Sequence, residues 1–318
     1  MNRQEVEALY ADRNPLTGIL LKVISVATFV AMASLIKAAG RVPAGEIVLF
    51  RSAFAILPIL ILLAWRHELR SALKTTRPVS HVARGLVGVT SMGLGFFALT
   101  RLPLPEAITL NYAQPLLVVV FSALFMGEVV RLFRWSAVVV GLIGVVIISW
   151  PKLTLFTDGS AMGNDEALGV TAALLAAGVS AIAMLLVRRL VHTEKTATIV
   201  LWFSLTSTVA ALGTIPFGWV PLTGGQAACL IGSGICGGVG QILMTESYRH
   251  APMSTIAPFE YTSMILGIAV GFFVFGDLPT IYTLVGGTIV VGAGLFIIWR
   301  EQRLGLKRGQ ARKVTPPA

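Results

Sequence analysis

Residues 102–115 read Leu-Pro-Leu-Pro-Glu-Ala-Ile-Thr-Leu-Asn-Tyr-Ala-Gln-Pro, and the apolar run that follows ends in Phe-Met-Gly-Glu at residues 125–128. The pattern returns without a gap 149 residues later, so that Tyr112 matches Tyr261 and Gly127 matches Gly276. Extended back to Gly85, this register gives seven identities over 44 residues. Apolar helices match one another by chance, so the argument depends on the glycine, proline and tyrosine coincidences. We predict a tandem duplication.

The composition is that of a membrane protein. Of 318 residues, 55% are hydrophobic and 13% are charged, and the mean hydropathy is +0.82. Such a chain is far more apolar than a soluble domain requires. Ten apolar runs are each long enough to cross a hydrocarbon core of about 30 Å. They cover residues 16–37, 44–64, 79–100, 104–125, 133–150, 167–188, 197–216, 226–246, 253–275 and 279–299.

These runs form two sets of five. Because five is odd, the second set enters the membrane from the side opposite to the first. The predicted fold is therefore an all-α integral membrane protein with ten transmembrane helices in two inverted five-helix repeats. Its predicted segments are an N-terminal segment 1–15, a first repeat 16–150, an external linker 151–166, a second repeat 167–299 and a basic tail 300–318.

The positive charges are distributed by side. Twenty of the 25 lysines and arginines fall on the side of the N-terminus, four fall on the other side, and Arg51 lies within a span. This is the positive-inside bias of a multi-pass protein, so both termini are predicted to be cytoplasmic. The distribution of the +10 net charge is therefore explained by orientation of the chain in a lipid bilayer. No nucleic-acid partner is expected.

The repeat brings polar residues to the middle of the membrane. Tyr112 lies about 12 Å from one edge of the bilayer and Tyr261 about 12 Å from the other, so their depths differ by only about 6 Å. Carriers with inverted repeats bind substrate at this depth, between the halves. The predicted substrate-binding residues are Arg51, Asn111, Tyr112, Gln114, Gln241, Phe259, Glu260 and Tyr261. The alternative is that amides and tyrosines only join helices by hydrogen bonds.

Charged residues inside the spans supply further candidates. Arg51 lies about 10 Å inside the membrane, where an unpaired guanidinium costs roughly 2.5 kcal/mol or more, so it should face the bundle and have a partner. Whether that partner is a packing ion pair or substrate stays open. Arg84 is expected to extend to the headgroups. The candidate proton-coupling residues are Glu46, Glu246 and Glu260.

Several chemistries are disfavoured. The four histidines fall in loops or at helix ends, and the Gly-x-Gly-x-x-Gly at residues 232–237 lies inside a spanning run rather than between a strand and a helix. No metal, cofactor or enzymatic activity is therefore expected. An intramembrane lipid-processing enzyme would need a reactive constellation at one interface, and a non-transporting receptor would need a sizeable soluble domain. Glycines of the third and eighth helices should let neighbouring helices approach closely.

The chain resembles the EamA branch of the drug/metabolite transporter superfamily. The resemblance rests on Gly-Glu-Ile-Val-Leu-Phe-Arg-Ser at 45–52, Asn-Tyr-Ala-Gln-Pro at 111–115, Pro-Phe-Glu-Tyr at 258–261 and Gly-Asp-Leu-Pro at 276–279. It implies a bacterial inner-membrane carrier that moves a small organic metabolite by alternating access. Riboflavin uptake is the first choice, and S-adenosylmethionine or amino acids are the alternatives. The direction of flow, the coupling ion (proton or sodium) and the oligomeric state stay open.

Overall fold

The computed structural model describes residues 15–69, 72–126, 130–153, 161–191, 194, 196–250 and 256–314. Ten helices, α1 to α10, cross the bundle in these ranges, in agreement with the predicted number. The unbroken helices are α1 (Pro15–Ala38), α2 (Ala44–Trp65), α3 (Pro78–Leu99), α5 (Leu132–Leu153), α6 (Ala161–Val191), α7 (Thr196–Leu212), α8 (Gly224–His250) and α10 (Ile281–Val314). Two helices are interrupted: α4 (Leu104–Asn111 and Ala113–Met126) and α9 (Ala257–Tyr261, Thr262–Val270 and Gly271–Phe275). Within the described ranges nine helices are long and apolar enough to span a membrane, and α7 is shorter.

Two helices extend beyond their apolar runs. The sixth helix begins at Ala161, inside the segment predicted as an external loop, and α10 continues through the predicted basic tail as far as Val314. An apolar run marks the thickness of the hydrocarbon, whereas a helix ends only where its backbone loses partners. At the start of α6, Asp165 lies 2.7 Å from an Arg41 nitrogen and 3.5 Å from Arg101 Nε, which ties the extension to neighbouring loops.

The breaks in α4 and α9 occur at equivalent positions of the two repeats. Pro115 has no N–H to donate to the carbonyl of Asn111. The first part of α4 therefore ends at Asn111, and the helix resumes at Ala113. In α9 the residues up to Tyr261 form a 3₁₀ turn, and regular α-helix begins only at Thr262. The continuous helices predicted for these spans are thus interrupted at Tyr112 and Tyr261, the pair that the repeat matches.

The halves interlock rather than lie side by side. Helix α1 packs most extensively on α8, and its repeat equivalent α6 packs on α3, the equivalent of α8. In the same way α2 packs on α7, α4 contacts α9, and α5 packs on α10. Each of these contacts joins one half to the other, as an inverted repeat with a two-fold relation requires. The middle of the bundle is therefore built by both repeats.

Glycines of α8 permit a close contact with α2, as predicted. A Cβ added at Gly234 of α8 would lie 2.7 Å from the Phe50 carbonyl oxygen, and one at Gly238 would lie 2.6 Å from that of Ala55. Both carbonyls belong to α2. Because the obstructing atoms are backbone, no side-chain movement would make room. The helices α2 and α8 therefore meet at backbone distance.

Candidate functional site

The two repeat-matched tyrosines meet between the halves. The rings of Tyr112 and Tyr261 have centroids 5.1 Å apart and are inclined by 61°, an edge-to-face contact. The Tyr112 side chain is buried, and its hydroxyl hydrogen-bonds the Ser263 hydroxyl. The sequence places the two tyrosines at similar depth between the halves, and the structure brings their rings into direct contact; their role as substrate-binding residues stays a prediction. Since the rings touch each other, a third ring cannot lie between them in this conformation.

Helix α10 closes the far side of this pair. A Cβ added at Gly294 would lie only 1.7 Å from the Tyr261 hydroxyl oxygen and 2.7 Å from Cζ of the same ring. Only glycine leaves room for the phenol at this point of α10. The position of Tyr261 is therefore determined by three helices: its own, α4 through Tyr112, and α10 through Gly294.

A buried lysine forms an ion pair next to the tyrosines. Lys22 of α1 is 1% exposed, and its ammonium donates to the carboxylate of Glu260, whose side chain is 49% exposed. Glu260 directly precedes Tyr261 and was predicted as a site residue. Lys22 was missed because it was counted with the charges on the side of the N-terminus. Lys22 lies about 9 Å inside the first apolar run, and a charge at that depth predicts a partner within the bundle.

The opposite end of the bundle carries a second ion pair. We call the face where α1 begins the proximal face and the face where it ends the distal face. On the distal face, Lys37 Nζ lies 3.1 Å from Asp277 Oδ2 and donates to the Leu102 carbonyl at 2.8 Å. The Leu104 amide donates to the same Asp277 oxygen at 3.1 Å. This distal cluster ties α1, the start of α4 and the end of α9 together.

The repeated glycine–acid motif explains how Asp277 reaches this cluster. Gly276 has φ +68°, in the left-handed region that favours glycine, and it ends α9. The turn places Asp277 back toward the bundle, where its amide donates to the Gly271 carbonyl at 2.8 Å. The first copy of the motif, Gly127-Glu128, lies outside the described residues.

Arg51 is buried in the bundle, as predicted, but its neighbour is aromatic. It is 5% exposed, and its Cζ lies 5.9 Å from the ring centroid of Phe203 on α7. Cζ of Arg84 lies 3.8 Å from the same centroid. The prediction that Arg84 extends to the headgroups is therefore wrong: α3 packs on α7, and the guanidinium lies against the Phe203 ring with its Nε and Nη1 buried.

The remaining predicted residues are dispersed. Asn111 is exposed, and Gln114, Gln241 and Phe259 are half-buried. Across the described ranges, the side chains of Asn111, Gln114 and Gln241 make no hydrogen bond. An apolar groove of about 530 Å³ between α3 and α7 lies elsewhere, and none of the predicted substrate-binding residues lines it.

The other two candidate proton-coupling residues lie at opposite faces. Glu46 is in the first turn of α2 on the distal face, where it is buried and accepts the Val220 amide at 3.4 Å. Glu246 lies near the proximal end of α8 and accepts from an Arg66 nitrogen at 2.7 Å. Of the three carboxylates, only Glu260 is next to the tyrosines.

Comparison with known proteins places this geometry in one family. The sequence model of the EamA-like transporter family matches residues 16–150 and 167–300. The pseudopaline exporter of Pseudomonas aeruginosa is 30% identical over 87% of this chain and 94% of its own length. An S-adenosylmethionine uptake transporter of Rickettsia felis is 26% identical over 83% and 85%, and a riboflavin transporter of Rhizobium johnstonii is 28% identical over 73% and 74%. A protein of known crystal structure shares the fold with a TM-score of 0.62, at 21% identity over 90% of this chain and 98% of that one.

Proposed function

The chain belongs to the EamA-like transporter family, and from that premise we propose that it carries its metabolite across a bacterial inner membrane by alternating access. It is a multi-pass membrane transporter of small metabolites and not an enzyme. The observation that supports the mechanism most directly is the meeting of Tyr112 and Tyr261. Both helices are broken at these residues, and inverted-repeat carriers bind substrate at such discontinuities.

The two ion pairs are suited to act as gates. Lys22–Glu260 joins α1 to α9 on the proximal side of the bundle, and Lys37–Asp277 joins the same two helices on the distal side. Opening toward either face requires α1 and α9 to separate at that face. We expect one pair to break while the other holds, so that the tyrosine pair becomes accessible from one side at a time.

Glu260 is the strongest of the three candidates for proton coupling. Protonation of its carboxylate would remove the partner charge of buried Lys22 and weaken the proximal contact. Glu46 and Glu246 stay candidates, but they lie at opposite faces of the bundle and not next to the tyrosines. Sodium is the alternative coupling ion.

The sequence favours riboflavin as the substrate, because tyrosines could stack on its ring system. The relatives named above bear different substrates and both directions of transport in their names. The buried charges of Lys22 and Arg51, with the carboxylate of Glu260 beside Lys22, favour the charged alternatives, S-adenosylmethionine and amino acids. We therefore rank a charged metabolite beside riboflavin.

The test is transport into proteoliposomes of the full-length protein, with radiolabelled riboflavin, S-adenosylmethionine and aromatic amino acids. Uptake of one compound above empty liposomes would identify its class. Tyr112→Ala and Tyr261→Ala should then weaken the apparent affinity several-fold, whereas Tyr282→Ala should leave it unchanged, because Tyr282 is 47% exposed. Transport by all three variants at the wild-type affinity would contradict a substrate site at the tyrosines.

The orientation is tested separately. Because positive charges are concentrated on the proximal side, we propose that both termini are cytoplasmic. A reporter fused after Gly309 should be active in the cytoplasm, and one inserted between residues 154 and 160 should be active outside. Activity of both reporters on one side would contradict the proposed orientation.

A further inference from the structure

Two guanidinium groups converge on one phenylalanine ring inside the bundle. Cζ of Arg51 on α2 is 5.9 Å from the centroid of Phe203, and Cζ of Arg84 on α3 is 3.8 Å from it. Both distances are within the range of a cation–π contact. A single ring is a weak partner for two positive charges, which also repel each other in a medium of low dielectric constant. This arginine cluster therefore carries a net positive charge.

Polar atoms in and beside this cluster lack partners. Nε of Arg51 and both Nε and Nη1 of Arg84 are buried without a hydrogen bond, and within the described ranges no carboxylate pairs with either arginine. Two hydroxyls share the property: that of Ser52, which follows Arg51, and that of Ser207, one turn beyond Phe203 on α7. Buried donors left unsatisfied are destabilising, and a buried charge is more so. A ligand that accepts these hydrogen bonds would remove the penalty.

Two repeat-equivalent glycines let the guanidiniums pack closely against helix backbone. A Cβ on Gly88 would lie 3.2 Å from Nη1 of Arg84 and 2.8 Å from Cε2 of Phe203. A Cβ on Gly237, at the matching position of the second repeat, would lie 3.2 Å from Nε of Arg51. Each half thus contributes one glycine against which one arginine packs. The arginine cluster lies where the two repeats meet.

We propose that the arginine cluster binds an oxyanion of the transported metabolite, a carboxylate or a phosphate. An oxyanion accepts two parallel hydrogen bonds from a guanidinium and neutralises its charge, which chloride or a neutral ring cannot do as well. The inference rests on the proposed function, since it makes the cluster a part of the path of the substrate. It assigns to the carrier an anionic metabolite rather than an uncharged ring compound.

The test measures binding without transport. The purified full-length protein, delipidated in detergent, is heated in sodium succinate, sodium phosphate or sodium chloride at equal ionic strength. We expect the Tm to rise with succinate or phosphate over chloride, and the anion with the larger rise indicates which oxyanion fits. In Arg84→Lys and Arg51→Lys the charge stays but the fork of donors is lost, and the apparent Kd should weaken about tenfold or more. Arg41→Gln is the matched control, because Arg41 is 73% exposed, and it should respond as the wild type does.

Several outcomes would overturn the inference. These are no response of the wild type to either anion, and an unchanged response in Arg84→Lys. If Arg51→Lys does not fold, the Tm response to the anions is measured on Arg84→Lys and Phe203→Leu instead. The delipidated protein is also heated with phosphatidylglycerol. A Tm that rises with this lipid and with neither anion would assign the cluster to a lipid headgroup instead. Anion binding by a protein that transports none of the panel would contradict the proposed function and leave the site standing, so the two failures are distinguishable.

Discussion

The bundle holds two clusters of buried charge, and they differ in how they are satisfied. In the tyrosine cluster, Lys22 pairs with Glu260, and Tyr112 pairs with Ser263 while its ring contacts Tyr261. In the arginine cluster, the nitrogens of Arg51 and Arg84 face a ring and have unsatisfied donors. The first cluster joins the halves by its own contacts, so a substrate must displace contacts to enter it. The second is already arranged for a ligand that the chain does not supply.

This difference predicts opposite responses to removal of charge, and the largest is at Glu260. Glu260→Gln leaves buried Lys22 opposite a neutral amide and should lower the free energy of unfolding by about 3 kcal/mol. We take the low end of the range because the Glu260 side chain is 49% exposed. Equilibrium unfolding in mixed micelles measures the change. The double variant Lys22→Met/Glu260→Gln should recover most of the loss; equal instability of the single and double variants would contradict the ion-pair interpretation.

The next effect tests the packing of the tyrosine cluster. Gly294→Ala places a methyl group on the Tyr261 hydroxyl and should cost about 1–3 kcal/mol of unfolding free energy. Gly292→Ala is the matched control on the same helix, because nothing lies within 4 Å of its added Cβ, and it should be neutral or slightly stabilising. Adding Tyr261→Phe to Gly294→Ala should recover part of the loss. Equal stability of the two alanine variants would mean that the ring moves freely.

Removal of charge from the arginine cluster should act in the other direction. Arg51→Met deletes a buried charge that has no carboxylate partner, so the unliganded protein should become about 1–2 kcal/mol more stable while transport is lost. Unfolding and proteoliposome uptake are measured on the same preparation. A loss of stability as large as that of Glu260→Gln would show that the guanidinium has a structural role.

The smallest effect concerns one hydroxyl. Tyr112→Phe keeps the edge-to-face ring contact but removes the hydrogen bond to Ser263, and it should cost about 0.5–1 kcal/mol. Ser263→Ala removes the same bond and also the bond that the Ser263 hydroxyl donates to the Glu260 carbonyl at 2.6 Å, so it should cost more than Tyr112→Phe. If that bond accounts for the effect, the double variant should be no less stable than the poorer single variant. Additive losses would indicate that the Tyr112 hydroxyl contributes through a partner other than Ser263.

Part of the tyrosine cluster was predictable, and most of the arginine cluster was not. The inverted repeat places matched residues at similar depth from opposite faces, so the shared depth of Tyr112 and Tyr261 followed from spacing, whereas their contact depends on how α4 and α9 pack. Arg84 was misassigned because a hydropathy profile gives its depth but not the helix that covers it. Phe203 carried no signal, since an aromatic residue in an apolar span is ordinary.

The sequence by itself determined the ten spans, the duplication and the depth of each polar residue, because partition into a bilayer depends on local composition over about twenty residues. Only the tertiary structure decided which charges are paired. Lys22 and Glu260 are 238 positions apart in the chain, and Lys37 reaches a carboxylate at the end of α9. A charge in the bundle is stabilised by whichever neighbour the packing of helices brings to it. No local pattern contains that neighbour, so the partners appeared only when both halves were folded together.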